Sequence, residues 1–270
     1  MSSPLWFVKM IKKTFPQRFI MARMTRLPII GRGIEYLLFE GDDMVFLPKD
    51  SIVAVNEDVS SEDVVLPSQV IEAFVEKASH LWIMNTCICR DASGCGDYPI
   101  DLGCLFMGEA VLDINPALGR RVTREEALDH LKKCREAGLV HLIGRNKLDP
   151  MWLNVRPGTR LLTVCNCCPC CCLWKVLPVL SHKISDKIQR MPGVKVKVTE
   201  VCTGCGTCQN NICIPKAITL QGGRAAISDE CRGCGNCVSV CPKGAIELTI
   251  EDPTFMESLV PRITSLVDVT

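Results

Sequence analysis

Apolar side chains recur every three or four residues in three stretches of the chain, which is the spacing of an amphipathic helix. The stretches lie near the N-terminus, after Ser68 and over residues 123–137. Their apolar stripes are Leu5, Val8, Ile11 and Phe15; Val70, Ile71, Phe74, Val75, Ala78 and Leu81; and Ala127, Leu128, Leu131 and Cys134. We therefore predict three helices, with Ser68 as the N-cap of the second and a break at Pro16 after the first.

The third predicted helix carries signals for both of its ends. Thr123 and Glu126 stand three residues apart, as in a capping box, and Gly138 fits the left-handed position after a helix C-terminus. Cys134 falls on the apolar stripe, so we predict that it is a buried core residue rather than a metal ligand.

Short apolar runs between polar or turn residues predict β-strands elsewhere in the chain. These runs are residues 36–39, 44–47, 52–55, 139–143, 152–155 and 161–164, of which the last three follow the third helix. A helix followed by such a ribbon resembles a winged helix, which makes DNA binding one alternative function. From about residue 194 the chain becomes rich in cysteine and glycine. The fold class predicted by these patterns is α+β.

The cysteine content changes this picture most, because 19 of the 270 residues are cysteine. Cysteine also accounts for about +0.18 of the mean hydropathy of +0.20. We find no apolar run long enough for a transmembrane helix and no secretory signal, and we expect a cytoplasmic protein. In a reducing cytoplasm, clustered cysteines usually bind metal.

Residues 1–34 combine an apolar stripe with a strongly basic charge. They contain no acidic residue, and their basic residues are Lys9, Lys12, Lys13, Arg18, Arg23, Arg26 and Arg32. One interpretation is a helix that lies on an anionic membrane surface, at the inner face of the membrane. The other is a helix that packs its apolar stripe on the protein body or on a partner.

The strongest motif is a repeat of eight cysteines near the C-terminus. Cys202, Cys205, Cys208 and Cys213 are followed by Cys231, Cys234, Cys237 and Cys241 with nearly the same spacing. Three thiolates two residues apart can each reach a different iron of a cubane cluster, and the fourth must come from elsewhere. Glycines at 204, 206, 233 and 235 permit the tight loops that this arrangement needs.

Residues 195–250 resemble the bacterial two-cluster ferredoxins, whose fold is a (βαβ)2 unit. The resemblance implies two 4Fe–4S clusters with crossed ligands. The first would be held by Cys202, Cys205, Cys208 and Cys241, and the second by Cys231, Cys234, Cys237 and Cys213. The first motif departs from the pattern by a last gap of four residues, which affects the expected loop shape. Zinc would need only two CxxC pairs per ion, so it explains this repeat poorly.

Ten further cysteines form two groups on either side of the third helix. They are Cys87, Cys89, Cys95 and Cys104 before it, and Cys165, Cys167, Cys168, Cys170, Cys171 and Cys172 after it. Folding of the helix and ribbon would bring the groups together, so we predict one or two further iron–sulfur clusters. A soft-metal thiolate cluster and a redox-active dithiol are the alternatives.

Residues 80–175 also resemble cysteine-rich, ferredoxin-like proteins of strictly anaerobic microbes. The motifs that carry the resemblance are 87–90 (CxCR), 119–128 (ending in EEAL), 136–141 (EAGLVH) and 165–172 (CNCCxCCC). The resemblance implies a role in anaerobic redox metabolism and does not define a reaction.

The sequence thus predicts an electron-transfer protein rather than an enzyme, and no catalytic residue is assigned. The predicted organisation is a basic segment (1–34), a mixed α/β cysteine-rich domain (35–192), the ferredoxin domain (193–252) and a tail (253–270). A redox partner protein is expected, and nucleic acid is not, because basic and acidic residues alternate on the third helix. A reductase with a substrate-accessible iron–sulfur site and a redox-sensing regulator are the alternative functions.

Overall fold

A computed structural model describes residues 2–52 and 65–270 and has an α+β architecture, which confirms the predicted fold class. The helices are α1 Leu5–Thr14, α2 Arg18–Met24, α3 Pro28–Ile34, α4 Ser68–Lys77, α5 Ile88–Ala92, α6 Arg124–Glu136, α7 Leu148–Leu153, α8 His182–Ser185, α9 Asn236–Val240 and α10 Phe255–Thr264. The strands are β1 Asp43–Phe46, β2 Leu81–Met84, β3 Leu105–Met107, β4 Gly119–Arg121, β5 Val140–Arg145, β6 Leu162–Cys167, β7 Ile188–Arg190, β8 Val194–Val198, β9 Ile218–Gln221, β10 Arg224–Ile227 and β11 Ile246–Ile250.

A seven-stranded sheet forms the centre of the molecule, in the order β4-β2-β3-β6-β5-β1-β7. Neighbouring strands are antiparallel except for the parallel pair β1–β7. The β5–β6 pairing sets Leu142 opposite Cys165 and Val140 opposite Cys167. Because side chains alternate along a strand, Cys165 and Cys167 share one face at the end of β6.

The predicted ends of α6 are confirmed in atomic detail. The Thr123 hydroxyl accepts from the Glu126 amide at 3.2 Å, the Glu126 carboxylate accepts from the Thr123 amide at 2.8 Å, and Gly138 has φ +76°. For α4 the predicted N-cap is wrong, because Ser68 is the first helical residue. The Ser68 amide instead donates to the Asp50 carboxylate at 3.0 Å, so a residue outside the helix satisfies this amide.

The predicted ribbon is confirmed in part. Strands β5 and β6 form, but both lie inside the central sheet, so no free wing follows α6. Residues 152–155 are not a strand, because α7 and its C-terminal turn take up this stretch. Residues 36–39 lie in a π-helical turn, Glu35–Phe39, while 44–47 contributes to β1. Apart from Ile52, the predicted strand 52–55 lies outside the described residues.

The C-terminal region consists of two small antiparallel sheets, β8–β11 and β9–β10, with the short helix α9 between β10 and β11. Val194 and Leu248 from the first of these sheets enter the same hydrophobic core as Phe74 of α4 and Leu131 of α6. The segment 253–270, which the sequence leaves as a tail, contains α10. Its buried side chains Phe255, Leu259 and Ile263 join that core.

The N-terminal helix forms over Leu5–Thr14, and Pro16 follows it within a 3-10 turn, as predicted. Val8 packs into a second core with Trp82 and Phe106, so part of the apolar stripe faces the protein body. Within residues 2–52 and 65–270, no helix has the length and apolar character needed to cross a membrane.

Candidate metal centre

The four cysteines of the first predicted cluster line a single cavity. They are Cys202, Cys205, Cys208 and Cys241, and the cavity wall also includes Gly204 and Gly206. Both glycines have positive φ, +67° and +77°, as do Gly233 (+64°) and Gly235 (+82°) in the second half of the repeat. The loops therefore adopt the backbone conformations that glycine favours, which is what the repeat predicts.

The four cysteines of the second predicted cluster also lie together. The Cys213, Cys231, Cys234 and Cys237 thiols interact electrostatically with one another. Cys234 and Cys237 are buried, and burial raises the pKa of Cys234 to about 12. Buried thiols of this kind ionise when a metal supplies the compensating charge.

Backbone amides point at the sulfur atoms in matching positions of the two halves. The Ala217 amide donates to Cys213 Sγ and the Ala245 amide to Cys241 Sγ, both at 3.2 Å. The extra residue of the first motif leaves this match intact, and Asn211 beside it takes a left-handed φ of +55°. Amide donors stabilise thiolate and cluster charge, so both thiol sets fit a 4Fe–4S cluster.

The structure brings the ten other cysteines together, as the sequence predicts, and separates them into two groups. The first, which we name the four-thiol group, is Cys95, Cys168, Cys170 and Cys171. The second lines a cavity of about 480 Å³, which we name the six-thiol cavity; its cysteines are Cys87, Cys89, Cys104, Cys165, Cys167 and Cys172. Cys168 lies at the boundary and touches both.

Short sulfur contacts connect the members of the six-thiol cavity. Cys172 Sγ lies 3.0 Å from Cys167 Sγ. The neighbouring Cys104 thiol holds the pKa of Cys165 well below its ordinary value. The neighbouring Cys89 thiol likewise lowers the pKa of Cys87 to about 6. The cavity thus offers sulfur ligands from the β6 strand, the following loop, the start of α5 and the residue before β3.

The N-terminal helices form the other wall of the six-thiol cavity, which sequence reasoning missed. Phe7, Met10 and Ile11 of α1 line it, together with Phe15 and Arg18. The Arg18 guanidinium stacks on the Phe15 ring at 4.1 Å. Burial lowers the pKa of Arg18, and the nearby thiols of Cys89, Cys172 and Cys171 oppose this shift. The apolar stripe signals burial of this segment, but nothing in its spacing names the surface that it covers.

Arg90 is a second residue without a role in the sequence prediction, although it belongs to the CxCR motif. Its side chain is fully buried, and it donates to the backbone carbonyls of Asn166, at 2.8 Å, and of Leu102. Burial would lower the pKa of Arg90, but the Cys87, Cys168 and Cys104 thiolates raise it above its ordinary value. A permanent cation therefore stands between the two thiol groups.

A buried polar network holds the cysteine-bearing end of β6 in place. The side-chain amide nitrogen of Asn166 donates to the Gly103 carbonyl at 2.7 Å, and the side-chain oxygen of Asn166 lies 2.8 Å from His141 Nδ1. His130 Nε2 also lies 2.9 Å from the Gly103 carbonyl. Cys134 is fully buried on α6, and burial raises its pKa to about 12.

The family described as a 4Fe-4S binding domain matches residues 226–247. This stretch contains Cys231, Cys234, Cys237 and Cys241. No curated protein and no solved structure matches the chain. The match, together with the paired thiol sets, shows an iron–sulfur, ferredoxin-like region that binds a 4Fe–4S cluster.

Proposed function

We propose that this protein is a cytoplasmic iron–sulfur electron-transfer protein of anaerobic redox metabolism. It holds two 4Fe–4S clusters in its C-terminal region and at least one more in the six-thiol cavity. The first C-terminal cluster is bound by Cys202, Cys205, Cys208 and Cys241, and the second by Cys231, Cys234, Cys237 and Cys213. Such clusters supply one-electron transfer.

The ferredoxin-like region and the six-thiol cavity share a hydrophobic core, and this packing is the main support for the proposal. Cys234 of the second predicted cluster packs in this core with Cys167 and Cys172 of the cavity, and with Ile214 and Trp174. The Lys49 amide also donates to the Cys234 carbonyl at 3.3 Å. Packed side chains keep water out and hold both ligand sets rigidly, which suits transfer between them.

The first predicted cluster has the more exposed ligand set. Its Cys205 is exposed, Cys202 and Cys241 are half-buried and Cys208 is buried, whereas the second set has two half-buried cysteines, Cys213 and Cys231, and two buried ones, Cys234 and Cys237. The exposure of Cys205 supports docking of a redox partner protein at this side.

Metal counting with paired variants tests the proposal. Anaerobically reconstituted protein should contain about twelve iron atoms per chain, four for each of three cubanes, with matching sulfide. A Cys167→Ser/Cys172→Ser variant should retain about eight, with the ferredoxin EPR signals unchanged. The control Cys134→Ala should retain the full content, because Cys134 lies outside both thiol groups. About eight iron atoms in the wild type, or an equal content in wild type and variant, would contradict the cavity cluster, and fewer than about eight in the wild type would contradict the whole proposal.

The six-thiol cavity also favours a second candidate, a reductase with a substrate-accessible iron–sulfur site supplied by the ferredoxin-like region. Its volume of about 480 Å³ falls within the range of small-molecule sites. Here Trp152 and Met151 would contact a substrate beside the thiols. Addition of carbon monoxide or azide should then change the EPR spectrum of the cavity cluster, whereas no change would argue for electron transfer alone.

Peripheral contact with a membrane surface through residues 1–34 is a further part of the proposal. Trp6 is 67 % exposed and Ile29 is 87 % exposed. The segment also carries seven basic residues. Binding to anionic phosphatidylglycerol vesicles should therefore exceed binding to phosphatidylcholine vesicles and weaken in salt. Trp6→Ser/Ile29→Ser should reduce it, and equal binding by wild type and variant would contradict it.

Nucleic acid is not a proposed partner. Basic side chains on α6 are paired with acidic ones, Lys133 with Asp129 at 2.7 Å and Arg124 with Glu76 at 3.6 Å. A face of this kind offers little net positive charge to phosphate.

A further inference from the structure

The four-thiol group is much tighter than a cubane ligand set. The sulfur atoms of Cys95, Cys168, Cys170 and Cys171 all lie within 4.8 Å of one another, and the Cys95 and Cys170 sulfurs are 3.5 Å apart. Four sulfurs at 2.3 Å from one tetrahedral ion are about 3.8 Å apart. In a cubane each thiolate binds a different iron at an outer corner, so the sulfurs are separated by roughly 6 Å. With all four sulfurs this close, the observed spacing matches a single ion. The six-thiol cavity differs, because its close pair, Cys167 and Cys172, would supply one ligand to a cubane and three of the other four cysteines would supply the rest.

The chain geometry around these cysteines is also that of a closed single-ion site. Cys168 and Cys171 form a CxxC pair, and the Cys171 amide donates to Cys168 Sγ at 3.3 Å. Cys170 comes from the same loop, and Cys95 from the loop after α5. Four protein ligands from two chain segments leave no open position, which is the arrangement of structural rather than catalytic zinc sites.

Burial and charge favour a bound divalent cation. Cys168 and Cys171 are buried, and Tyr98, Leu102 and Leu139 pack around the group. Four thiolates with one divalent ion carry a net charge of about −2, which burial disfavours unless it is offset. The fully buried Arg90 guanidinium attracts the Cys168 thiolate electrostatically and supplies part of that offset.

We propose that Cys95, Cys168, Cys170 and Cys171 bind one zinc ion, separate from the iron–sulfur clusters. Zinc is favoured over ferrous iron because divalent zinc binds a given set of protein ligands more tightly. The ion fixes loop 168–172 to the loop after α5. It thereby positions Cys167 and Cys172, which belong to the six-thiol cavity. This inference adds a structural metal to the proposed function and does not depend on the number of clusters.

Metal analysis of two complementary variants tests the assignment. The protein is produced with both zinc and iron in the medium, purified anaerobically and analysed for both metals and sulfide. The wild type should contain one zinc per chain. Cys170→Ser should lose zinc and retain the iron of the ferredoxin-like region, whereas Cys89→Ser, on the cavity side, should retain zinc and lose iron. X-ray absorption at the zinc edge should show four sulfurs at about 2.3 Å.

Other outcomes would overturn the zinc assignment and leave the proposed electron-transfer function unaffected. Loss of about four iron atoms and four sulfides from Cys170→Ser would make the group a cubane. A wild type without zinc, or with a single iron in its place, would also overturn it. Cys95→Ser is a second variant with the same expected loss, and unchanged ferredoxin EPR signals show in each case that the chain has folded.

Discussion

At the scale of single residues, Arg90 gives the CxCR motif a physical meaning. Its guanidinium is the buried cation between the four-thiol group and the six-thiol cavity, and its two ends hold backbone carbonyls on β6 and beside Gly103. Metal-loaded thiolate groups are anionic, so a fixed cation beside them lowers the cost of burying that charge. Arginine suits the position because it stays charged and donates in several directions at once.

Arg90→Lys should therefore destabilise the protein although it preserves the charge. A lysine ammonium cannot reach both the Asn166 and Leu102 carbonyls in the same geometry, and a buried carbonyl without a partner costs about 2 kcal/mol. Anaerobic urea unfolding followed by circular dichroism measures this loss. The control is Arg124→Lys at the exposed pair with Glu76, where we expect less than about 0.5 kcal/mol. Equal effects at the two positions would remove the role assigned to Arg90.

Asp42 predicts a pH dependence that is independent of the metal sites. One carboxylate oxygen accepts from the Lys147 amide at 2.6 Å, the other is buried without a hydrogen-bond partner among the described residues, and burial raises the pKa to about 7. The folded protein thus holds a proton that the unfolded chain, with an aspartate pKa near 3.9, has already released. This contribution to stability is fully present below about pH 4, decreases as the pH rises and is lost once the pH has passed through 7.

Asp42→Asn stays neutral and should not show that loss. Between pH 6 and pH 8 the wild type should lose roughly 1 kcal/mol of unfolding free energy relative to Asp42→Asn. Urea unfolding at the two pH values gives the difference directly. Asp113→Asn, an exposed position, should follow the wild type; parallel pH profiles for wild type and Asp42→Asn would disprove the assignment.

At the scale of elements, the sequence predicts what is encoded locally. The capping box and Gly138 define α6 because they satisfy their own helix ends. The N-cap of α4 could not be predicted, because Asp50 reaches its first amide from 18 positions earlier in the chain. The run 152–155 has the apolar pattern of a strand, but its first two residues belong to α7. There the Trp152 indole donates to the Asp149 carboxylate, one turn earlier in the helix, at 2.9 Å.

The candidate site divides in the same way. The cysteine repeat predicts its loops because each ligand set depends on local spacing and glycine. The ten other cysteines have no such regularity, and their division into four and six depends on where Cys95 and Cys104 meet the end of β6. Nothing in the order of these cysteines distinguishes the two groups. Helix α1 and the turn after it form the opposite wall of the six-thiol cavity. This placement depends on packing between distant parts of the chain, so the local sequence does not predict it.

The N-terminal wall should protect the contents of the six-thiol cavity from oxygen. Phe15 lines the cavity and carries the stacked Arg18, so Phe15→Ala opens a gap between the helices and the thiols. On exposure to air, we expect the cavity cluster to bleach several-fold faster, with unchanged rates for the ferredoxin clusters. EPR amplitudes against time measure this. Ile20→Ala on the exposed side of α2 is the control, and identical decay in both variants would show that the wall gives no protection.

At the scale of the whole molecule, the ferredoxin-like region is packed against the seven-stranded sheet and its helices. One hydrophobic core contains Val194 and Leu248 of the β8–β11 sheet, Phe74 of α4 and Leu259 of α10. Another core, the one that contains Ile214 and Trp174, joins Cys234 to the six-thiol cavity. Cores shared in this way make separate unfolding of the two regions unfavourable, because either region would leave apolar surface of the other exposed to water.

Leu259→Ala tests this coupling, because Leu259 is fully buried and belongs to neither cysteine group. Truncation at a buried leucine costs about 2–5 kcal/mol. If the regions unfold together, loss of the ferredoxin absorbance and loss of the sheet's circular dichroism should shift by the same amount in denaturant. The control Glu257→Ala, on the exposed face of α10, should move both by less than about 0.5 kcal/mol. Two transitions of which only one responds to Leu259→Ala would mean that the cores do not couple the regions, and that the ferredoxin-like region keeps its clusters without the sheet beneath it.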